Sequence, residues 1–242
     1  MRDYKKEFEE RVAFIKGLVE ESHADGIVFG NSGGKDSALV GILCKAACDN
    51  TVGIIMPCSS SRNFGSDAED GRRVAEQYGI ETRLIDLTPV KEAELAALKS
   101  VTEMTEHSAA NIAPRLRMTT LYSVAGSENR LVAGTGNRSE AYVGYFTKWG
   151  DGAYDFDPIS DLTVTEIYEF LRYLKAPQSI IEKAPSAGLY EGQTDEQEMG
   201  VSYADIDAVL LGLEVSSEAA RELIEKKHKG ALHKLSAAKT FA

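Results

Sequence analysis

The chain has 242 residues, 43% of them hydrophobic, enough to bury a large core without disulfide or metal staples. Its 27 basic and 38 acidic residues give a net charge of −11, which argues against nucleic acid as the main partner but leaves room for a small anion where cations gather. Cys44, Cys48 and Cys58 have no second Cys or His pair at metal spacing and read as reduced core thiols; without a leader or a membrane-length apolar run, the sequence predicts a soluble, cytoplasmic protein with no membrane partner.

Residues 4–22 place Phe8, Val12, Ile15, Leu18 and Val19 at helical spacing, so an amphipathic helix is expected first. Gly26-Ile27-Val28-Phe29 then reads as a short buried strand, followed by a glycine-rich turn, Gly30-Asn31-Ser32-Gly33-Gly34. A helix is expected over Asp36 to Cys48, a second strand over residues 51–56, a helix over Asp67 to Tyr78 and a third strand over Thr82 to Leu87. Helices near Pro89 to Lys99 and Pro114 to Gly126 lead to a fourth strand, Arg130 to Ala133. From residue 160 or so the pattern is helical, with segments Val164–Leu174, Tyr203–Leu211 and Ser217–Lys227, and the polar stretch 183–197 reads as a loop. Strands alternating with helices imply an α/β fold, a parallel sheet flanked by helices on both faces, and residues 1–242 read as one domain. In such sheets ligands sit at the C-terminal strand ends, where strand order reverses. Two glycine-bearing turns leave strands at that edge, Gly30–Gly34 and Gly134-Thr135-Gly136-Asn137.

Ser32-Gly33-Gly34-Lys35-Asp36-Ser37 lies between a strand and a helix start, where backbone amides and the helix dipole favour a phosphate. A tight capped turn would need only one glycine and one Ser or Asp. The segment is not a Walker A loop: Gly30 to Gly34-Lys35 is one residue short, and Asp36 stands where a hydroxyl is required. Nor does Gly134-Thr135-Gly136 complete a dinucleotide fingerprint. Asp151, Asp155 and Asp157 lack the Gly and closing Glu of an EF-hand loop. Cys58 has no His near it in sequence and is not expected to act as a nucleophile.

The S-G-G-K-D-S segment resembles the pyrophosphatase loop of the N-type ATP pyrophosphatases, which cleave ATP between its α and β phosphates and pass AMP to a substrate oxygen. Within that superfamily, three further blocks are similar to NAD synthetases. They are Gly134 to Glu140, then Gly144-Tyr145-Phe146-Thr147-Lys148-Trp149-Gly150-Asp151-Gly152 with Asp155 and Pro158-Ile159, and Pro185-Ser186-Ala187-Gly188-Leu189 with Gly192 to Glu196 and Gly200 to Tyr203. Asn111-Ile112 with Arg115 and Arg117-Met118 is similar to a fourth. The matched segments recur in order over nearly the whole chain.

The resemblance implies an adenine nucleotide alpha-hydrolase-like fold, an ammonia-dependent NAD synthetase and a homodimer. It assigns Gly30, Asn31, Ser32, Gly33, Gly34, Lys35, Asp36, Ser37, Thr135 and Ser186 to ATP, and Asp36 with Glu140 to Mg²⁺. Arg117, Lys148, Asp155, His233 and Lys234 would bind deamido-NAD, with Asp36 and Lys148 closest to the chemistry. His228-Lys229 is a second candidate for the C-terminal His-Lys pair. A lysine usual in the family after the Pro-Ile segment is replaced by Val164, and Lys183 is the candidate to supply that phosphate contact. No role is assigned to Arg62, in the divergent segment after Pro57.

The expected chemistry has two steps. A nicotinate carboxylate attacks the α-phosphorus of ATP, and ammonia then displaces AMP from the acyl carbon. Cationic donors such as Arg117 and Lys148 suit a ligand bearing a pyrophosphate and a carboxylate, although each alone also suits a solvated surface. The phosphate loop begins near residue 30 and His233 lies close to residue 242, so free ammonia rather than glutamine is the expected donor. The alternatives are another ATP pyrophosphatase such as a tRNA thiolase, which would want paired cysteines and a basic face, and a non-catalytic ATP-sensing module.

Overall fold

The strands β1 (Gly26–Gly30) and β2 (Thr51–Ile55) are buried along nearly their whole length because both of their faces are covered. A computed structural model of the chain describes residues 2–59, 64–183 and 194–241. With β3 (Glu81–Leu84) and β4 (Arg130–Ala133) they form a parallel sheet of order β3-β2-β1-β4. The chain therefore steps outward from β1 to β3 and then crosses to the other side of β1 for β4. The order reverses between β1 and β4. The two turns expected to bind ligand leave these neighbouring strands.

The period-2 alternation of strand side chains divides the core. Ile27 and Phe29 point into a cluster built with α1 (Tyr4–Ser22) and α2 (Lys35–Ala47), and joined by α8 (Val164–Tyr173) through Ile167, Phe170 and Leu171. Val28, Val52, Ile54 and Val132 point the other way, onto Ala113 and Ala125 of α6 (Ile112–Glu128). The crossovers are completed by α3 (Ser66–Tyr78), whose Val74 and Ala75 join the first cluster, and by α4 (Thr88–Leu98) and the short α5 (Glu106–Ala110), which lie against α6. The edge strand β3 carries Glu81 and Arg83, charges that discourage pairing with another sheet.

Four strands and the longer helices stand where the sequence predicts them. Among the described residues, four helices were not expected: α5, α7 (Arg138–Val143), α9 (Gln178–Glu182) and α10 (Asp195–Met199). The expected loop over 183–197 is thus in part helical, and residues 184–193 lie outside the described residues. With α11 (Tyr203–Leu211), the C-terminal helices build a third cluster around Val143, Met199, Ile206 and Ile224. The last helix, α12 (Glu218–Leu235), runs past its expected end at Lys227. Gly230 should weaken it, but the next residue, Ala231, packs so closely on Gly144 that a Cβ there would meet the Ala231 Cβ at 2.5 Å. Among the described residues no helix is long and apolar enough to cross a membrane.

Phe170 is fully buried, with its ring 5.0 Å from that of Tyr4, so it ties α8 to α1. Phe170→Ala should lower the unfolding free energy by about 3–5 kcal/mol in urea denaturation. A loss below about 1 kcal/mol would show that α8 is not part of this core.

Candidate functional site

Where β1 ends, Asn31 turns its amide onto α3, donating from Nδ2 to the Gly71 carbonyl at 3.0 Å. Gly33 adopts φ +69°, and a Cβ on it would lie 2.0 Å from the Asp67 carbonyl oxygen. The turn is pressed so tightly on α3 that only glycine fits there. Gly34 then caps α2 in an extended conformation with no side-chain cap, leaving the first-turn amides of a 13-residue helix to face the site. Ser32 and Ser37 are linked hydroxyl to hydroxyl at 3.0 Å across the turn.

The second turn leaves β4. Gly134 donates its N–H to the Phe156 carbonyl at 2.7 Å and lies against the Tyr154 ring, which a Cβ would meet at 2.4 Å. Gly136 donates to Asp157 Oδ2 at 2.9 Å. Asn137 caps α7 in a reciprocal box: its side chain accepts from the Glu140 N–H, and the Glu140 carboxylate accepts from the Asn137 N–H. Asn137 Nδ2 also donates to Asp36 Oδ1 at 3.0 Å, joining the two turns.

Lys35, 6% exposed, places its ammonium 2.7 Å from Asp36 Oδ2 and 3.9 Å from Glu140 Oε1, below the Tyr203 ring. Burial pulls this ammonium down, but Asp36 and Glu140 more than reverse that and hold it above the ordinary lysine range. Burial, and then the nearby Asp36, push the Glu140 carboxyl well above its usual value against the pull of Lys35. Burial raises the Asp157 carboxyl to about 7 although the Ile159 and Gly136 amides donate to it.

Lys35, Asp36 and Glu140 line a cavity of about 880 Å³ at the C-terminal ends of the strands. Gly30, Asn31, Ser32, Gly34, Lys35, Asp36, Ser37, Thr135 and Glu140 all border it; Gly33 stands behind, against α3. Arg117 reaches it from α6, donating from Nε to the Met56 carbonyl at 3.1 Å, and burial lowers its guanidinium from the ordinary value. Lys234 enters from the end of α12, donating to the Gly144 and Phe146 carbonyls at 2.8 and 2.7 Å.

Besides Gly33, three expected residues among the described ones do not line the cavity. Lys148 turns outward, donating to the His233 carbonyl at 2.7 Å and lying over the Trp149 ring. His233 shares its shallow outer depression. Asp155 accepts from the Val132 N–H at 2.8 Å and from the Tyr122 hydroxyl at 3.1 Å, bracing β4. This geometry keeps Lys148 away from Asp36, against the expectation that both stand at the chemistry. His228, in the other candidate pair, stacks on Tyr142 at 4.1 Å as a packing residue. Ser186 and Arg62 lie outside the described residues.

Lys183, the candidate for an additional phosphate contact, borders the cavity beside the turn after β1. Its ammonium donates to the Gly33 carbonyl at 3.0 Å and pairs with Asp67 at 2.7 Å and Asp70 at 2.8 Å. Val164, in place of the family lysine, is buried at the start of α8. Sequence reasoning missed Asp67, Asp70 and Asn137 as site-forming residues. Only Asn137 carried a local signal, the N-x-x-E pattern of a capping box. Cys58 is buried in the second core cluster and is not part of the cavity lining.

The NAD synthase family model matches residues 7–238. An NH(3)-dependent NAD(+) synthetase from Carboxydothermus hydrogenoformans is 46% identical over 235 residues, covering 96% of this chain and 95% of that protein. Among solved structures, an NMN synthetase from Francisella tularensis superposes with a TM-score of 0.93 at 38% identity, over 99% of each chain. An NH3-dependent NAD synthetase from Campylobacter jejuni superposes with a TM-score of 0.81 at 30% identity, over 100% of each.

Gly33 and Gly79 share a left-handed backbone, at φ +69° and +66°, but nothing lies within 4 Å of a Cβ at Gly79. Gly79→Ala should therefore cost only the conformational term, about 1 kcal/mol in thermal unfolding, and Gly33→Ala clearly more. Equal losses would contradict the close packing of the phosphate turn on α3.

Proposed function

The chain belongs to the NAD synthase family, and from that premise we propose that it amidates deamido-NAD with ammonia at the expense of ATP, giving NAD, AMP and pyrophosphate. The observation that carries this reading is the pair of glycine-bearing turns meeting at the β1/β4 switch point, with cations and carboxylates arrayed around one cavity. An ATP-sensing module would need no second anion site, whereas Arg117 and Lys234 line this one beyond the phosphate loop.

In this reading the turn over Gly30–Gly34 and the first turn of α2 receive the β and γ phosphates, with Lys35 and Lys183 supplying charge and Thr135 contacting the nucleotide from the β4 side. The two carboxylates nearest the Lys35 ammonium offer only oxygen donors, a set that fits a hard divalent cation. Asp36 and Glu140 would hold Mg²⁺, which supplies charge neutralisation for the departing pyrophosphate. Arg117 and Lys234 would orient the nicotinate nucleotide so that a carboxylate oxygen faces the α-phosphorus. Pyrophosphate leaves as the carboxylate–phosphate bond forms. Ammonia then attacks the acyl carbon, and AMP departs with the carboxylate oxygen. No protein nucleophile is required: the chain's task is to position two anions and offset their charge. The same proposal includes a homodimer working in the cytoplasm, and Ser186 as a further ATP contact.

A second reading has the same chemistry acting on nicotinate mononucleotide. It is favoured by the outward placement of Lys148 and His233, which leaves Arg117 and Lys234 as the expected nicotinate-site cations lining the cavity, and by the close superposition on the Francisella NMN synthetase. Purified protein with ATP, Mg²⁺ and ammonium should convert deamido-NAD to NAD with equal AMP, at a kcat/KM at least about tenfold above that for nicotinate mononucleotide. A preference reversed towards the mononucleotide would establish the second reading, and no AMP with either would overturn both.

A further inference from the structure

Asn137 is wholly buried, and it engages one oxygen of each carboxylate expected to hold the metal. Its side-chain Nδ2 donates to Asp36 Oδ1 at 3.0 Å, and its backbone N–H donates to Glu140 Oε2 at 3.3 Å. Its side-chain oxygen accepts the Glu140 N–H at 2.9 Å, which fixes the first turn of α7 beneath the carboxylate. The oxygens left over are Asp36 Oδ2 and Glu140 Oε1. These are the two that the Lys35 ammonium approaches, at 2.7 and 3.9 Å. One buried amide thus sorts four oxygens into two that are held and two that converge on a cation, and that cation belongs to the chain.

We propose that Lys35 is the resident counter-ion of the Asp36–Glu140 pair in the nucleotide-free chain, and that Asn137 is the positioning residue that gives the pair its geometry. A divalent cation then gains the seat only when bound phosphate draws the Lys35 ammonium away. This rests on the reading of the phosphate loop given above. Lys35 is the first residue of α2, directly after Gly34, so a phosphate on the first-turn amides lies within reach of the same ammonium. A divalent ion matches the charge of two ionised carboxylates more completely than one ammonium does, and it can take that place once Lys35 has another anion to pair with. Metal and nucleotide binding are therefore coupled, and by linkage each raises the affinity for the other.

The test uses the full chain and Mn²⁺ alone as the probe, read by electron paramagnetic resonance without nucleotide. Lys35→Met should bind Mn²⁺ at least about tenfold more tightly than the wild type, within the usual span of such couplings. Equal affinities would overturn the counter-ion role. In the Lys35→Met background, Asn137→Ser should remove that gain, because a serine hydroxyl can still cap α7 but does not reach Asp36. An undiminished site in the double variant, with a melting temperature matching the single one, would overturn the positioning role. Should Lys35→Met fail to fold, Lys35→Gln retains a donor towards Asp36 and is read in the same way. Metal-free binding of a non-cleavable ATP analogue to the wild type, measured by calorimetry, separates the two levels. Its absence would sink the phosphate-loop reading, whereas its presence with equal Mn²⁺ affinities sinks this inference alone.

Discussion

The hydrogen bond from Asn137 to Asp36 joins segments 101 residues apart in the chain, and through it the turn after β4 is locked to the helix after β1. That tie is possible because strand order reverses between β1 and β4, so both turns open at the same edge of the sheet. Everything the site can do follows from this adjacency. One turn presents backbone amides and a helix N-terminus to the cavity. The other presents Thr135 and Glu140 to the same space. Without the reversal, the carboxylates of Asp36 and Glu140 would not meet.

The electrostatics of the cavity run against the charge of the whole protein. A net charge of −11 repels anions at long range, yet Lys35, Arg117, Lys183 and Lys234 all border one space. Each is held by acceptors that set its direction. Lys183 is anchored by Asp67, Asp70 and the Gly33 carbonyl, so it braces the turn after β1. Such anchoring limits the reorganisation needed when an anion arrives, which is how fixed charge acts effectively in catalysis.

The layout of the sheet was legible because β1 and β2 are short, apolar and bounded by turn residues, and α1 has a clean helical period. The six residues of α7 are too few for a period to show, and the glycines before them read as a loop, although Asn137 and Glu140 carried its capping signature. The phosphate turn was legible from composition and place. Which cations turn inward was not. Lys148 and Lys234 both sit in matched segments, and the difference arises from backbone geometry: Trp149 adopts φ +61°, and the turn it makes directs Lys148 towards the end of α12. Asp155 and Asp157 divide in the same manner, one bonded to the Val132 amide and the other to the Gly136 amide. These outcomes depend on the path of the chain in three dimensions and leave no trace in spacing.

In the proposed reaction the switch point brings a carboxylate oxygen against the α-phosphorus of ATP, and AMP carries that oxygen away. It can be followed directly by isotope. Deamido-NAD labelled with ¹⁸O in its nicotinate carboxylate is turned over with ATP and ammonium, and the products are weighed by mass spectrometry. Each AMP formed should carry one ¹⁸O, and the pyrophosphate none. Unlabelled AMP, or label in the pyrophosphate, would contradict it.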